Sequence, residues 1–494
     1  MNVFQGGVSA VLARLIALAA GAATVLAFAP LGAWPLAPLA LAWLAHRWMA
    51  APRSCFIDGW WFGLGLFGAG VSWIYISMTQ FGGMPPVLAV VATAAFCAFL
   101  ALFPAAAGWL QARVPAAPAV RALLLIPAAW TLAEWLRVWL LTGFPWLAVG
   151  YASAGWPLQG YAPLAGVLGA SFATLALAGA LCLLVTRRAR ALALTLALAI
   201  PVAGEALRHV RWTEPAGAPF TVTLLQGNIP QEMKFRPERY EQTLETYARL
   251  VEASKARLIV APETAIPNFL DRIDPAYLAR LEAAARANQG DLLLGLPSRN
   301  ATGAFYNSVL SLGAAPRQLY HKAHLVPFGE FVPPGFGWSL RVVAIPMADF
   351  ARGAPEQAPL AVAGQRVAVN VCYENVFGDE IAGAAARSTL LVNLSNVAWF
   401  GDSLAPGQHL QIGRLRAVET GRMHLAATNT GITAAVDRDG RVLARLPQFT
   451  EGSLSVMAQG YDGATPYLRW RDWPIVLASL ALLVAAVFAA RRSR

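Results

Sequence analysis

Charge is what this sequence has least of. Asp, Glu, Lys and Arg make up 13% of 494 residues, against 57% hydrophobic residues and a mean hydropathy of +0.51. That balance excludes an ordinary soluble protein of this length and leaves an integral membrane protein. A basic stripe interleaved with aromatics is also missing. The net charge of +11 therefore does not point to nucleic acid, and the arginines, scattered or set beside apolar runs, fit membrane orientation instead. Cysteine occurs four times, and Cys55, Cys97 and Cys182 lie in or beside apolar runs, which leaves no disulfide framework and no Cys-x-x-Cys metal motif. His321 and His324 form the one close histidine pair, with no third ligand near them, so neither a metal nor a cofactor is expected.

What is present, over the first ~210 residues, is a train of apolar segments near the ~20 residues that a bilayer requires. Seven are expected, at roughly 8–28, 31–48, 56–79, 86–111, 120–141, 161–185 and 191–208, with an eighth from Trp473 to Ala490. The first is read as a membrane helix rather than a cleaved signal peptide, because another apolar run follows almost at once. Arg47 and Arg53, Arg113 and Arg121, and Arg187, Arg188 and Arg190 fill alternate loops, whereas the loops near 80–85 and 142–160 hold no Lys or Arg. By the positive-inside rule both termini are expected in the cytoplasm and residues 212–470 on the opposite face. Three regions follow: 1–211 with seven spans, 212–470 exported, and 471–494 with the last span and a basic tail.

The exported region alternates strand-like and helix-like runs. Strands are expected at Phe220–Asn228, Leu258–Pro262, Asp291–Pro297, around Val367–Val371 and at Thr389–Asn393, and helices at Arg239–Lys255, Pro275–Asn288 and Gln408–Thr420. A hairpin joins Gly431–Val436 to Val442–Leu446 at Asp439-Gly440. The pattern is that of an α/β layered domain, and ~260 residues suffice for a full core.

Three stretches carry chemistry. Val367, Val369 and Val371 alternate along a buried strand that delivers Cys372, followed by Tyr373 and Glu374. Cys372 is the one cysteine outside the apolar runs, and is either a nucleophile or a small buried hydrophobe. Leu258–Pro262 ends in Glu263, and Leu319–Glu330 holds Lys322 and Glu330 eight residues apart. A thiol near its free pKa of about 8.5 is mostly protonated at neutral pH, and needs a base and a positive group to act. Glu263 supplies the first, unless it is a capping carboxylate. Lys322 supplies the second, stabilising an oxyanion and keeping Cys372 acidic, unless it is a surface lysine. Glu330 and Glu374 either position Lys322, accept a proton from an incoming amine, or form structural ion pairs. Tyr373 closes the site or packs in the core. Glu134 and Arg137, three residues apart in the fifth span, share a helical face and are placed to pair. Two loops, Phe328–Phe350 with Trp338 and Ala398–Asp402 with Trp399, are far too apolar for open solvent. They read as lipid contacts or a lid, or as buried Ω-loops.

In chain order, Glu263, Lys322 and Cys372 resemble the Glu-Lys-Cys triad of the nitrilase superfamily, which implies an α-β-β-α sandwich. Taken with the spans, the Gln226-Gly-Asn-Ile-Pro230 segment, the Trp399-Phe-Gly-Asp402 loop and the last apolar run, the whole chain is similar to the apolipoprotein N-acyltransferases. The resemblance implies an enzyme of the bacterial inner membrane whose cysteine takes an acyl chain from a phospholipid, typically the sn-1 chain of phosphatidylethanolamine. It then passes that chain to the amine of the diacylglyceryl-cysteine that begins an apolipoprotein. Carried over, Cys372 is the nucleophile, Glu263 the base and Lys322 the oxyanion partner, with Trp146, Phe235, Trp338 and Trp399 as substrate contacts. Phe235 stands where the family leads one to expect tryptophan, and Asn396 to Trp399 lacks an aspartate often found before Ala-Trp. A membrane-tethered amidase acting on a small amide is the alternative, and it gives no reason for eight spans or apolar loops.

Overall fold

The computed structural model describes residues 2–335, 337 and 349–492, so Trp338 and most of the first apolar loop lie outside the described residues. The chain divides into a helical unit, residues 1–75, 86–210 and 470–494, and an α/β unit, residues 76–85 and 211–469.

In the helical unit, Pro86–Arg113, Pro118–Thr142, Pro157–Val185, Arg190–Arg208 and Trp473–Arg492 are long and apolar enough to cross a bilayer, as is the first helix over Ala10–Ala27. These are six; a seventh appears only if Pro52–Gly70 and Ile74–Phe81, bent by 57°, count as one span. The expected eight is therefore corrected among the described residues. The second apolar run folds as Leu36–Ala50, and 15 residues at about 1.5 Å each reach about 22 Å, short of a ~30 Å hydrocarbon layer. Small residues set the packing. A Cβ on Gly21 would lie 1.9 Å from the Phe62 carbonyl and one on Gly65 1.9 Å from the Leu18 carbonyl, so the helices Asn2–Thr24 and Cys55–Gly70 touch backbone to backbone.

The α/β unit begins with β1 (Thr213–Gln226), α1 (Pro237–Ala253), β2 (Leu258–Val260), α2 (Pro275–Ala287), β3 (Asp291–Arg299), β4 (Phe305–Gly313) and β5 (Leu319–His321). It continues with β6 (Leu360–Val362), β7 (Gln365–Val371), α3 (Gly378–Ala385), β8 (Leu390–Ser395), α4 (Ala405–Thr420), β9 (His424–Thr428), β10 (Ala434–Val436), β11 (Val442–Arg445) and β12 (Gly452–Gly463). One sheet has the order β12-β1-β2-β3-β4-β5 and the other β11-β10-β9-β8-β7-β6. Within them β1-β2-β3 and β7-β8-β9 are parallel.

Period-two alternation builds the layers. Val222, Leu224, Val260 and Leu293 from the first sheet and Val367, Val369, Val371, Val392 and Leu394 from the second meet in one buried core. Each such side chain contributes roughly 1.5–3 kcal/mol. Residues one step out of phase, Leu225, Ile259 and Leu292, face α1 and α2 instead, while Ala368 and Leu391 face α3. The result is the expected α-β-β-α sandwich, with the carboxyl ends of its parallel strands, where sites form in such folds, at one end.

Candidate active site

Each of the three chemistry-bearing residues follows a strand of this frame. Val371 ends β7 and Cys372 comes next, with φ +53, a left-handed conformation uncommon for a residue with a Cβ. The surroundings hold it there. The Cys372 carbonyl accepts from His409 Nε2 at 3.2 Å and from Asn393 Nδ2 at 3.4 Å. Burial pulls the His409 pKa down to about 4, so the ring is neutral at physiological pH and carries its proton on Nε2 to make this bond.

Glu263 lies in the turn after β2, pressed against β3, where a Cβ on Gly295 would come 2.3 Å from the Pro262 carbonyl. Its carboxylate is fully engaged: Oε1 accepts from Asn307 Nδ2 at 2.7 Å and Lys322 Nζ at 3.4 Å, and Oε2 from the Asn396 backbone N–H at 2.7 Å. Burial alone would raise its pKa, but Lys322, Asn307 and the Asn396 N–H outweigh it and hold the carboxyl below the usual range. Lys322, after β5, is 1% exposed and lies 2.9 Å from Glu330. Burial opposes its charge, yet Glu330 and Glu263 more than compensate and push its pKa up, so it is an ammonium at any physiological pH.

Cys372 behaves otherwise than expected. Burial and the Glu263 charge push the thiol well up, and Lys322 only partly opposes them. The resting sulfur is therefore a thiol, which corrects the expectation that Lys322 keeps it acidic.

Glu330 stands at the foot of the apolar loop, accepting from Asn307 Nδ2 at 2.9 Å and the Val326 N–H at 2.8 Å, while its own carbonyl accepts the Phe350 N–H at 3.1 Å. Glu374 is caged. It accepts from Val371 N at 2.7 Å, Ala323 N at 2.7 Å, His324 N at 3.0 Å and the Tyr320 hydroxyl at 2.9 Å, which ties the segment after Lys322 to the strand end before Cys372. Tyr373 is buried, edge-on to Phe377 at 5.1 Å. Phe235 is 44% exposed, in the turn after β1 and next in sequence to Lys234.

Trp399 lies within the second apolar loop, half-buried. Its carbonyl accepts from Ser77 Oγ at 2.6 Å and its ring meets Phe81 edge-on at 5.6 Å, both from residues 76–85, which cluster with the α/β unit. Trp146 belongs to the helical unit and is 1% exposed. The loop that carries it is pinned by the two charges of the fifth apolar run. Arg137 Nη1 donates to Phe144 O at 2.7 Å and Trp146 O at 2.5 Å, and Glu134 accepts from Val149 N at 2.8 Å and Ser171 Oγ at 2.6 Å.

Sequence reasoning missed Asn307, Asn396, His409 and Lys234. Asn396 had a signal, since it follows a mostly apolar strand, Leu390–Ser395, just as Glu263 and Cys372 follow theirs. The other three had none, because their partners are remote in sequence. Among the described residues no cluster of His, Cys, Asp and Glu is suited to a metal.

Comparison with known proteins agrees with this architecture. Residues 20–181 match the apolipoprotein N-acyltransferase N-terminal domain and residues 221–460 the carbon-nitrogen hydrolase domain. The apolipoprotein N-acyltransferase of Nitrosomonas europaea is 48% identical over 481 residues, covering 96% of each chain. That of Methylococcus capsulatus is 45% identical over 97% of this chain and 96% of its own. Among solved structures, the C. elegans NitFhit protein aligns with 56% of this chain and 66% of its own at 18% identity and a TM-score of 0.41, which adds nothing to the assignment. With nearly its whole length matched at such identity, the chain belongs to the apolipoprotein N-acyltransferase family.

Proposed function

We propose that this enzyme moves a fatty acyl chain from phosphatidylethanolamine, through a thioester on Cys372, to the amine of an apolipoprotein's N-terminal diacylglyceryl-cysteine. The observation that carries the reading is the convergence of an ionised, triply bonded Glu263, a charged Lys322 and a buried Cys372 thiol at the strand ends. As the Cys372 sulfur attacks the ester carbonyl, Glu263 takes its proton, and the S–C bond forms while the Lys322 ammonium faces the oxyanion. When the C–O bond breaks, Glu263–H returns the proton to the departing lysophospholipid oxygen. The amine then attacks the thioester and loses a proton to Glu263, which passes it to the sulfur as the S–C bond breaks, so that Cys372 leaves as a thiol and Glu263 is again a carboxylate. A thioester splits one hard transfer between two bulky lipids into two easier ones.

Glu330 and Glu374 act in this scheme as positioning groups, the first by holding Lys322 and the second by joining its segment to the Cys372 turn. Phe235, Trp338 and Trp399 are proposed lipid contacts, whereas Trp146, 1% exposed, packs inside the helical unit and is withdrawn from that role. An apolar surround disfavours water, which would otherwise hydrolyse the thioester. The alternation of arginine-bearing and arginine-free loops supports an inner-membrane enzyme with both termini cytoplasmic and the α/β unit periplasmic.

Mass spectrometry of the Cys372 peptide after incubation with phosphatidylethanolamine alone tests the reading. A hydroxylamine-labile acyl adduct is expected, disappearing when a diacylglyceryl-cysteine peptide is added. Release of free fatty acid with no adduct would overturn it.

A further inference from the structure

The site contains a second buried lysine that the triad does not use. Lys234 is 1% exposed, and its Nζ donates to the Glu263 carbonyl at 3.2 Å. No other acceptor for that ammonium is found among the described residues. The turn that carries it is fastened to the strand ends. Asn429 accepts the Ile229 N–H at 2.9 Å and donates to the Ile229 carbonyl at 2.7 Å, and Asn396 Nδ2 donates to Gln231 Oε1 at 2.7 Å. Asn396 is also the residue whose N–H holds Glu263. Burying a lysine with so little local compensation is unfavourable, which calls for a use of its charge.

Charge balance indicates what it is wanted for. Glu263 and Glu330 share one nearby ammonium, Lys322, which lies at 2.9 Å from Glu330 and 3.4 Å from Glu263. The nearer carboxylate takes most of that charge. The base is left beside a sulfur that must become anionic, in surroundings that already disfavour a second negative charge.

We propose that Lys234 is a positioning residue for the acyl transfer: anchored on the Glu263 carbonyl, its ammonium sets a second positive charge beside Glu263 and Cys372 and stabilises the negative charge that the site carries through thioester formation. The proposal rests on the reading of Cys372 as the acylated residue. The titratable groups that face Lys234 are Glu263, from the turn after β2, and Cys372, from the end of β7, with Lys322 and Glu330 one partner further away. Burial pulls the Lys234 pKa down to about 8, against the pull of Glu263 and Cys372. Its charge is thus present at neutral pH and is lost as pH rises through about 8.

The test uses the full chain in phosphatidylethanolamine-containing micelles, as wild type, Lys234→Met and Lys234→Arg, over pH ~6 to ~10. Two rates are followed: acyl-Cys372 formation, and alkylation of Cys372 by iodoacetamide. Wild-type acylation should fall as pH passes about 8, because the ammonium is lost. Lys234→Met should acylate about 10²-fold more slowly at neutral pH and show no such fall. Lys234→Arg, whose guanidinium stays charged, should recover to within about 10-fold and also lose the fall near pH 8. Acylation by Lys234→Met within about twofold of wild type, with the wild-type pH profile, overturns the proposal, since a purely structural lysine would leave that profile unmoved. If Lys234→Met does not fold, the remaining pair decides: a fall near pH 8 that Lys234→Arg removes supports the proposal, and identical profiles overturn it. Should wild type take no acyl group at all, the acyl-transfer reading fails separately. Alkylation then judges Lys234 alone, slower in Lys234→Met than in wild type if the charge acts on the sulfur, and equal if it does not.

Discussion

Lys322 sits 2.9 Å from Glu330 and 3.4 Å from Glu263, so the ammonium is held chiefly by Glu330 and not by the proposed base. Asn307 reinforces the separation. Its amide nitrogen donates to both carboxylates, at 2.7 Å to Glu263 and 2.9 Å to Glu330, and fixes them as two distinct anions. Glu330 thereby keeps Lys322 from collapsing onto Glu263 and lowering its basicity further.

A neutral isostere at position 330 should expose this division of labour. In Glu330→Gln the ammonium has only Glu263 to pair with, and the base weakens. Acyl-enzyme formation should fall by about 10-fold, less than the ~10²–10⁴ expected of Glu263→Gln, which removes the proposed base outright. Single-turnover acylation by mass spectrometry compares them, and a larger loss for Glu330→Gln would reassign the base to Glu330.

Cys372→Ala should abolish both half-reactions, and Cys372→Ser should be nearly as inactive because an alcohol is harder to deprotonate than a thiol. The conservative changes Cys55→Ala, Cys97→Ala and Cys182→Ala should leave acylation nearly intact, since those thiols lie in the helical unit. Acyl transfer by Cys372→Ala protein would remove the nucleophile from the scheme.

Glu374 should matter for stability as well as for rate. Glu374→Ala strands the Val371, Ala323 and His324 N–H groups and the Tyr320 hydroxyl without their acceptor. At about 1–3 kcal/mol for a buried unsatisfied donor, a loss of at least about 3 kcal/mol is expected. Thermal unfolding of the α/β unit measures it, and an unchanged midpoint would show that the cage is dispensable.

His409 predicts a pH dependence of stability with a definite sign. Burial lowers its folded pKa from 6.5 to about 4, so between those values the unfolded chain binds the proton and the folded one does not. Stability is then intact above about pH 6.5 and is lost as pH falls toward about 4, by about 3 kcal/mol for this group. His424, pulled down to about 3 by burial and by His409, adds to the same trend. His409→Gln should show a shallower loss of the unfolding midpoint from neutral pH to pH ~5, and an equal slope would exclude the ring as the cause.

The layered core was legible from the chain because alternation is local: Val367, Val369 and Val371 announce a buried strand wherever it ends up, and Leu258–Val260 does the same before Glu263. The same locality exposed the apolar segments, although length alone misjudged Leu36–Ala50, whose helix stops after 15 residues. β4, β5, β6, β9 and β12 went unread, as did α3. β12 pairs antiparallel with β1 across more than two hundred residues, and its short alternation, Leu454, Val456 and Ala458 inward, is blurred by Met457 on the outward side and by Gly452, Gly460 and Gly463.

Residue type and order by themselves marked the candidate groups: one thiol outside the apolar runs, a carboxylate at a strand end and a lysine between them. Their state was decided only in three dimensions. Whether Cys372 rests as thiol or thiolate depends on how far burial outweighs Lys322, and whether Lys322 serves Glu263 or Glu330 depends on half an ångström. Lys234 and His409 had no motif to announce them, because desolvation and a partner's distance are properties of the packed interior and not of neighbours along the chain.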